Sequence, residues 1–215
     1  MLFGGRPATG LPAAVLSPRW WLAAMTALGL IGGALAASRA TETHWQVGMP
    51  LSRLGVDHGA AGTVTATMLG LGFILLALGV SLDRIFARLR AAGRLDPRAE
   101  WLLTIGFLLA GVAAALTGVF PITRPPSTVI HNIAGFAMPI VLMATIVGAR
   151  LALGSLGRLY DRLSAIILLV VIGLFVATAR LQVLPYGVME LICFGLIGAW
   201  LWLFEARLRC VIGNL

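Results

Sequence analysis

The chain contains no lysine: all sixteen of its basic residues are arginine. Two cysteines, three histidines and eight acidic residues are spread over 215 positions. Only 11% of the residues are charged, whereas a soluble domain carries about 25%. That scarcity excludes an ordinary soluble domain. The histidines and cysteines form no HExxH, HxxxH or CxxC spacing, so no established zinc or thiol-redox motif is present, and no cofactor is implied. Cys193 and Cys210 cannot pair along one helix, because seventeen residues at 1.5 Å rise separate them by about 25 Å, far beyond disulfide reach. They read as small apolar fillers or free thiols. No internal repeat is visible, so an inverted-repeat transporter plan has no support. Exclusive use of arginine suggests a GC-rich bacterial genome, which concerns codons and not function.

What the chain has in abundance is apolar length. Hydrophobic residues make up 60% and the mean hydropathy is +0.98. Six runs, at about 20–37, 61–82, 101–120, 129–149, 163–179 and 186–204, approach or reach the 17–25 residues needed to cross a bilayer. The expected fold is all-α, a bundle of six transmembrane helices forming one domain over 19–208. Residues 1–18 read as a loose cytoplasmic arm rich in Pro, Gly and Ala, and 209–215 as a short tail. Arg6, Arg19 and the small residues near Ala36 resemble a signal peptide. The long charged region and the Trp20-Trp21 anchor favour a retained first helix instead.

The arginines set the orientation. With the N-terminus inside, the inner segments hold Arg6, Arg19, Arg84, Arg88, Arg90, Arg94, Arg98, Arg150, Arg158, Arg162, Arg207 and Arg209. The outer segments hold only Arg39, Arg53, Arg124 and Arg180. The positive-inside rule then puts both termini in the cytoplasm, in a bacterial cytoplasmic (inner) membrane. Trp20, Trp21, Trp101, Trp200 and Trp202 fall near the inner ends and are expected to form an interfacial belt. The formal charge of +8 therefore reflects membrane topology, and no nucleic-acid partner is expected, because the basic residues do not gather on a soluble face.

Local signals refine this picture. Arg84, Arg88, Arg90, Arg94 and Arg98 fall at or near four-residue spacing and predict a helical extension of span two along the anionic inner leaflet. Asp96-Pro97 reads as an N-cap followed by proline at the first helical position. Gly29/Gly33, Gly62/Ala66/Gly70, Gly111/Ala115 and Gly195/Ala199 place small residues four apart, as in close helix packing within the bundle or at a dimer interface. Pro139 is expected to kink span four by freeing the carbonyl of Gly135. Ser127 is expected to cap that span. The first outer loop, 38–60, is long enough to fold over the bundle.

Candidate chemistry lies on the outer side. His44, His58 and His131 all fall there, with Glu42, Asp57 and Glu190. His44, His58 and His131 are weak metal candidates, and loop solvation is the plainer account. His131, about one turn inside span four beside Asn132, is placed to switch with pH or to hold a structural hydrogen bond. Glu190 is the one acid inside a predicted span, and such acids are functional candidates by default. A Glu190–Arg180 ion pair closing the last hairpin is the structural alternative. Arg53, Arg124 and Arg180 defy the positive-inside trend. Their guanidinium forks suit phosphate or carboxylate, or pairing with Glu42, Asp57 and Glu190.

Ser52-Arg53-Leu54-Gly55 before span two, Gly118-Val119-Phe120-Pro121 at the end of span three and His131 opening span four form a pattern. Over roughly residues 20–208 the chain resembles the prokaryotic six-span membrane family catalogued as domain of unknown function 998. A more distant likeness is to six-span proteins of the Frag1/DRAM type, where lipid-related work is implied by analogy. Arg53 and Thr123-Arg124 stand where that family often carries acidic residues, which favours an anion-preferring outer site. The leading expectation is a non-enzymatic membrane protein with an outward-facing polar and basic pocket. Arg53, Arg124, His131, Arg180 and Glu190 would bind a lipid headgroup or other anionic small molecule there. Membrane lipids are the expected partners. The alternatives are an accessory or structural subunit among other membrane protein subunits, a metal-assisted hydrolase, a haem protein or a transporter.

Overall fold

The computed structural model describes residues 18–40, 54–122, 125–154 and 156–212. These form six helices: α1 Pro18–Arg39, α2 Ala61–Ala91, α3 Pro97–Val119, α4 Ser127–Leu153, α5 Arg158–Leu181 and α6 Tyr186–Ile212. Each is long and apolar enough to cross a membrane, and the protein is a multi-pass membrane protein with an all-α bundle. Below, the ends are called inner and outer from the distribution of arginines.

The helices match the apolar runs but continue past them at the inner end. The second helix reaches Ala91, as its arginine spacing predicts, α4 reaches Leu153 and α6 reaches Ile212. Asp96 caps α3 as expected, its carboxylate accepting from the amides of Arg98 at 2.8 Å and Ala99 at 3.4 Å. An ion pair between Arg90 and Glu100 joins α2 to α3 beside that cap. Ser127 does not cap α4. Its hydroxyl instead donates to the carbonyl of Pro121 at 2.6 Å, tying the connecting segment back on itself. Pro139 lies inside a helix that is continuous from Ser127 to Leu153.

Consecutive helices pack on one another, and α1 returns against α6 to close the ring. The α2–α3 seam is the tightest and the α4–α5 seam the loosest of those between consecutive helices. One continuous core runs through all six, including Leu22, Phe86, Phe107, Ile146, Tyr160 and Phe204. Close approach of α2 and α3 depends on glycine. A Cβ on Gly72 would lie 2.7 Å from the carbonyl oxygen of Gly111, and one on Gly111 would lie 2.8 Å from Leu76 Cγ.

The expected small-residue stripes are therefore only partly the packing faces. Gly111 packs as expected and so does Gly70, against Leu28, while on α1 the buried glycine contact is Gly32 against Thr67. Gly29, Gly33, Gly62 and Gly195 have nothing within 4 Å of an added Cβ. The tryptophan belt is likewise partial. Trp20 and Trp101 are exposed, but Trp200 is fully buried. It stacks on Phe204 at a centroid distance of 5.1 Å and donates to Ser164 Oγ at 3.2 Å.

Candidate functional site

At the outer end, the residues that close α3 meet those that open α4. The Phe120 amide still bonds to Leu116 in the last turn of α3. Its carbonyl, no longer satisfied within a helix, receives Nδ1 of His131 at 2.8 Å. A carbonyl can only accept, so Nδ1 carries the proton and Nε2 is the basic nitrogen of the neutral ring. His131 is buried and acts as a clasp between α3 and α4. Two residues earlier on α3, the carbonyl of Gly118 accepts from Thr65 Oγ1 of α2 at 3.1 Å. The Phe-Pro element is thus joined to both neighbouring helices.

The first outer loop also contacts the bundle where it is described. Leu54 is buried with Ala36 and Ala60 in a small satellite core. Asp57 is fully buried and accepts the Gly59 amide at 2.9 Å and the Ala60 amide at 3.3 Å, while its own carbonyl accepts from Ala61. These bonds organise the entry to α2. His58 is exposed beside it. Arg53, Arg124 and His44 lie outside the described residues.

Arg180 sits exposed in the last turn of α5, and Glu190 is half-buried one turn into α6. Gln182 ends α5 in the left-handed conformation, with φ 51°. Among the described residues Arg180 makes no ion pair, and the expected Arg180–Glu190 closure is not formed. The hairpin turns instead through its backbone, the Gln182 amide bonding to Thr178. No group of three His, Cys, Asp or Glu among the described residues is gathered as for a metal ion.

The inner end holds a polar cluster that sequence reasoning missed. Glu205 is only 2% exposed. Its carboxylate lies 2.7 Å from Arg209 Nε, one turn later on α6, and 3.6 Å from Arg19 Nε on α1. The contact is one of charge and not of aligned donors, for neither carboxylate oxygen nor Arg209 Nε has a directed hydrogen bond. Tyr160 OH, Trp21 Nε1 and Asp161 Oδ1, near the inner ends of α5 and α1, are also buried without a hydrogen-bond partner among the described residues. The available signal was an acid just past an apolar run, with arginine four residues on and another at the start of span one. Between α2 and α3, Thr104 Oγ1 donates to Asp83 at 2.9 Å.

A recess of about 300 Å³ opens along the loose seam between α4 and α5. It is lined by Ile146, Val147, Arg150 and Leu151 of α4 and by Ser164, Ala165 and Leu168 of α5. No protein-family model matches the chain, and no curated protein or solved structure is significantly similar to it.

Proposed function

We propose that the protein is a non-catalytic membrane protein that binds an anionic ligand, a lipid headgroup or another small anion, at its outer end. The observation that carries this reading is Arg180. It is an exposed guanidinium on the side poor in positive charge and has no acidic partner among the described residues. Nothing in the hairpin fold requires a cation there, since Gln182 closes the turn through its backbone. Arg53 and Arg124 supply further positive charge on the same side. The His131–Phe120 clasp gives a fixed frame beside Arg124 in sequence, and Glu190 orients ligand donors. A planar guanidinium pairs bidentately with phosphate or carboxylate.

The reading is tested by thermal unfolding of the detergent-solubilised protein with phosphate-, sulfate- and carboxylate-bearing small molecules and with short-chain phosphatidylglycerol. A ligand that binds the folded state raises the melting temperature with its concentration. At least one anion is expected to stabilise the wild type and not R180Q. Equal responses of the two proteins count against the outer site.

A second reading, an accessory subunit of a membrane complex, draws on α1. Gly33 on that helix is exposed, and an added Cβ there or on Gly29 would meet nothing within 4 Å. Small residues facing outward leave room for the backbone of another helix.

A further inference from the structure

We infer that the α4–α5 seam holds one anionic phospholipid of the inner leaflet, its phosphate on Arg150 and an acyl chain in the recess beneath. This site is independent of the outer-end reading and uses different arginines. Three observations converge on it. The recess is a defined volume of about 300 Å³ in the seam least closed by helix packing. Its walls are apolar apart from Ser164 and, at the top, Arg150, which lies three residues from the end of α4. Leu151 is 79% exposed, so the opening faces the bilayer side of the ring.

Depth and charge then select the occupant. At 1.5 Å rise, Arg150 sits about 5 Å from the inner end of α4, and Leu168 about 15 Å from the inner end of α5. A ligand spanning both needs a charged head at the interface and an apolar body below it. Arg150 is exposed and makes no ion pair among the described residues. Arg158 and Arg162, four apart and both exposed, bring further positive charge to the same end of α5. Asp161 between them is the acid on that turn, and it does not neutralise all three. Basic pockets between spanning helices on the cytoplasmic side suit anionic headgroups. Ser164 Oγ accepts from Trp200 Nε1, so its hydroxyl hydrogen remains a donor on the recess wall.

The test is native mass spectrometry of the full chain in mild detergent, offered equal amounts of dioleoylphosphatidylglycerol and dioleoylphosphatidylcholine. The wild type is expected to retain one phosphatidylglycerol in preference to phosphatidylcholine. R150Q should weaken that retention about tenfold, the scale of one charge-assisted contact. A165F, which fills the recess, should abolish it, while R94Q leaves it in place. Equal retention of both lipids, or retention unchanged in R150Q, overturns the inference. So does displacement by inorganic phosphate, which would show that the charge binds without the chain. A wild-type dimer that A165F dissociates would give the recess to a second copy, and also overturns it. Because Arg150 is exposed and unpaired, R150Q keeps the test decisive should A165F fail to fold.

Discussion

Arg209 Nε lies 2.7 Å from the carboxylate of Glu205, which is buried within the inner end of the ring. The pair belongs to one helix, but Arg19 approaches the same carboxylate from α1 at 3.6 Å, so the contact also holds the first helix to the last. Removing Arg209 leaves a buried carboxylate with only the exposed Arg19 as counter-charge. Breaking a fully buried pair costs about 3–5 kcal/mol. Arg209 is 35% exposed and Arg19 57%, and solvent screening lowers that to about 2 kcal/mol for R209Q. E205Q removes the buried charge itself and should cost less. Thermal unfolding in detergent that ranks E205Q below R209Q in stability would refute this assignment.

The α2–α3 seam makes a sharper packing prediction. A methyl on Gly72 would meet the Gly111 carbonyl at 2.7 Å and the Ala115 amide nitrogen at 2.9 Å. Both are backbone atoms and cannot swing away. G72A should lower stability by about 1–3 kcal/mol, as overpacking does. G33A, with open space around it, should leave the monomer as stable or slightly more so. If G33A instead changes the mass of the assembly in detergent, α1 is a subunit interface.

The His131 clasp is tested by H131F. The substitution keeps an aromatic ring and leaves the Phe120 carbonyl without its donor. The expected loss is about 1–2 kcal/mol, the effect of one hydrogen bond and an orphaned buried acceptor. H131Q, which can still donate, should recover part of it. An unchanged melting temperature in H131F would show that the bond contributes nothing.

Topology is open to a direct chemical reading through the native cysteines. Cys210 is exposed near the inner end of α6, whereas Cys193 is buried within it. A membrane-impermeant maleimide should label inverted vesicles at Cys210 and leave right-side-out vesicles unlabelled until they are permeabilised. Labelling of intact right-side-out vesicles at Cys210 would reverse the orientation.

The six spans were legible because a run of about 20 apolar residues has few other uses. The inner helix ends were less so. Hydropathy stops at the first charges, while backbone hydrogen bonding carries α6 on to Ile212, past Glu205. A span boundary drawn at Phe204 therefore left the buried acid just outside the sixth span. Glycine spacing flagged close packing, but a four-residue period does not say which face meets a neighbour. Gly32 and Gly72 carry the contacts, and Gly29 and Gly33 do not. Ser127 shows a further limit. Its hydroxyl suits an N-cap, yet the Pro121 carbonyl, brought close by the turn, takes the hydrogen bond. At the outer end, His131 was visible as a candidate, but its partner Phe120 is set by the fold of the connection and not by any spacing.

The most direct test of an anion site at the outer end is native mass spectrometry of the protein as extracted, with its co-purifying small molecules retained. The account predicts a bound anionic molecule on the wild type that is lost from both R180Q and R124Q and kept by R150Q. A wild-type mass equal to the bare chain, or a stoichiometric partner protein with no small ligand, would contradict it.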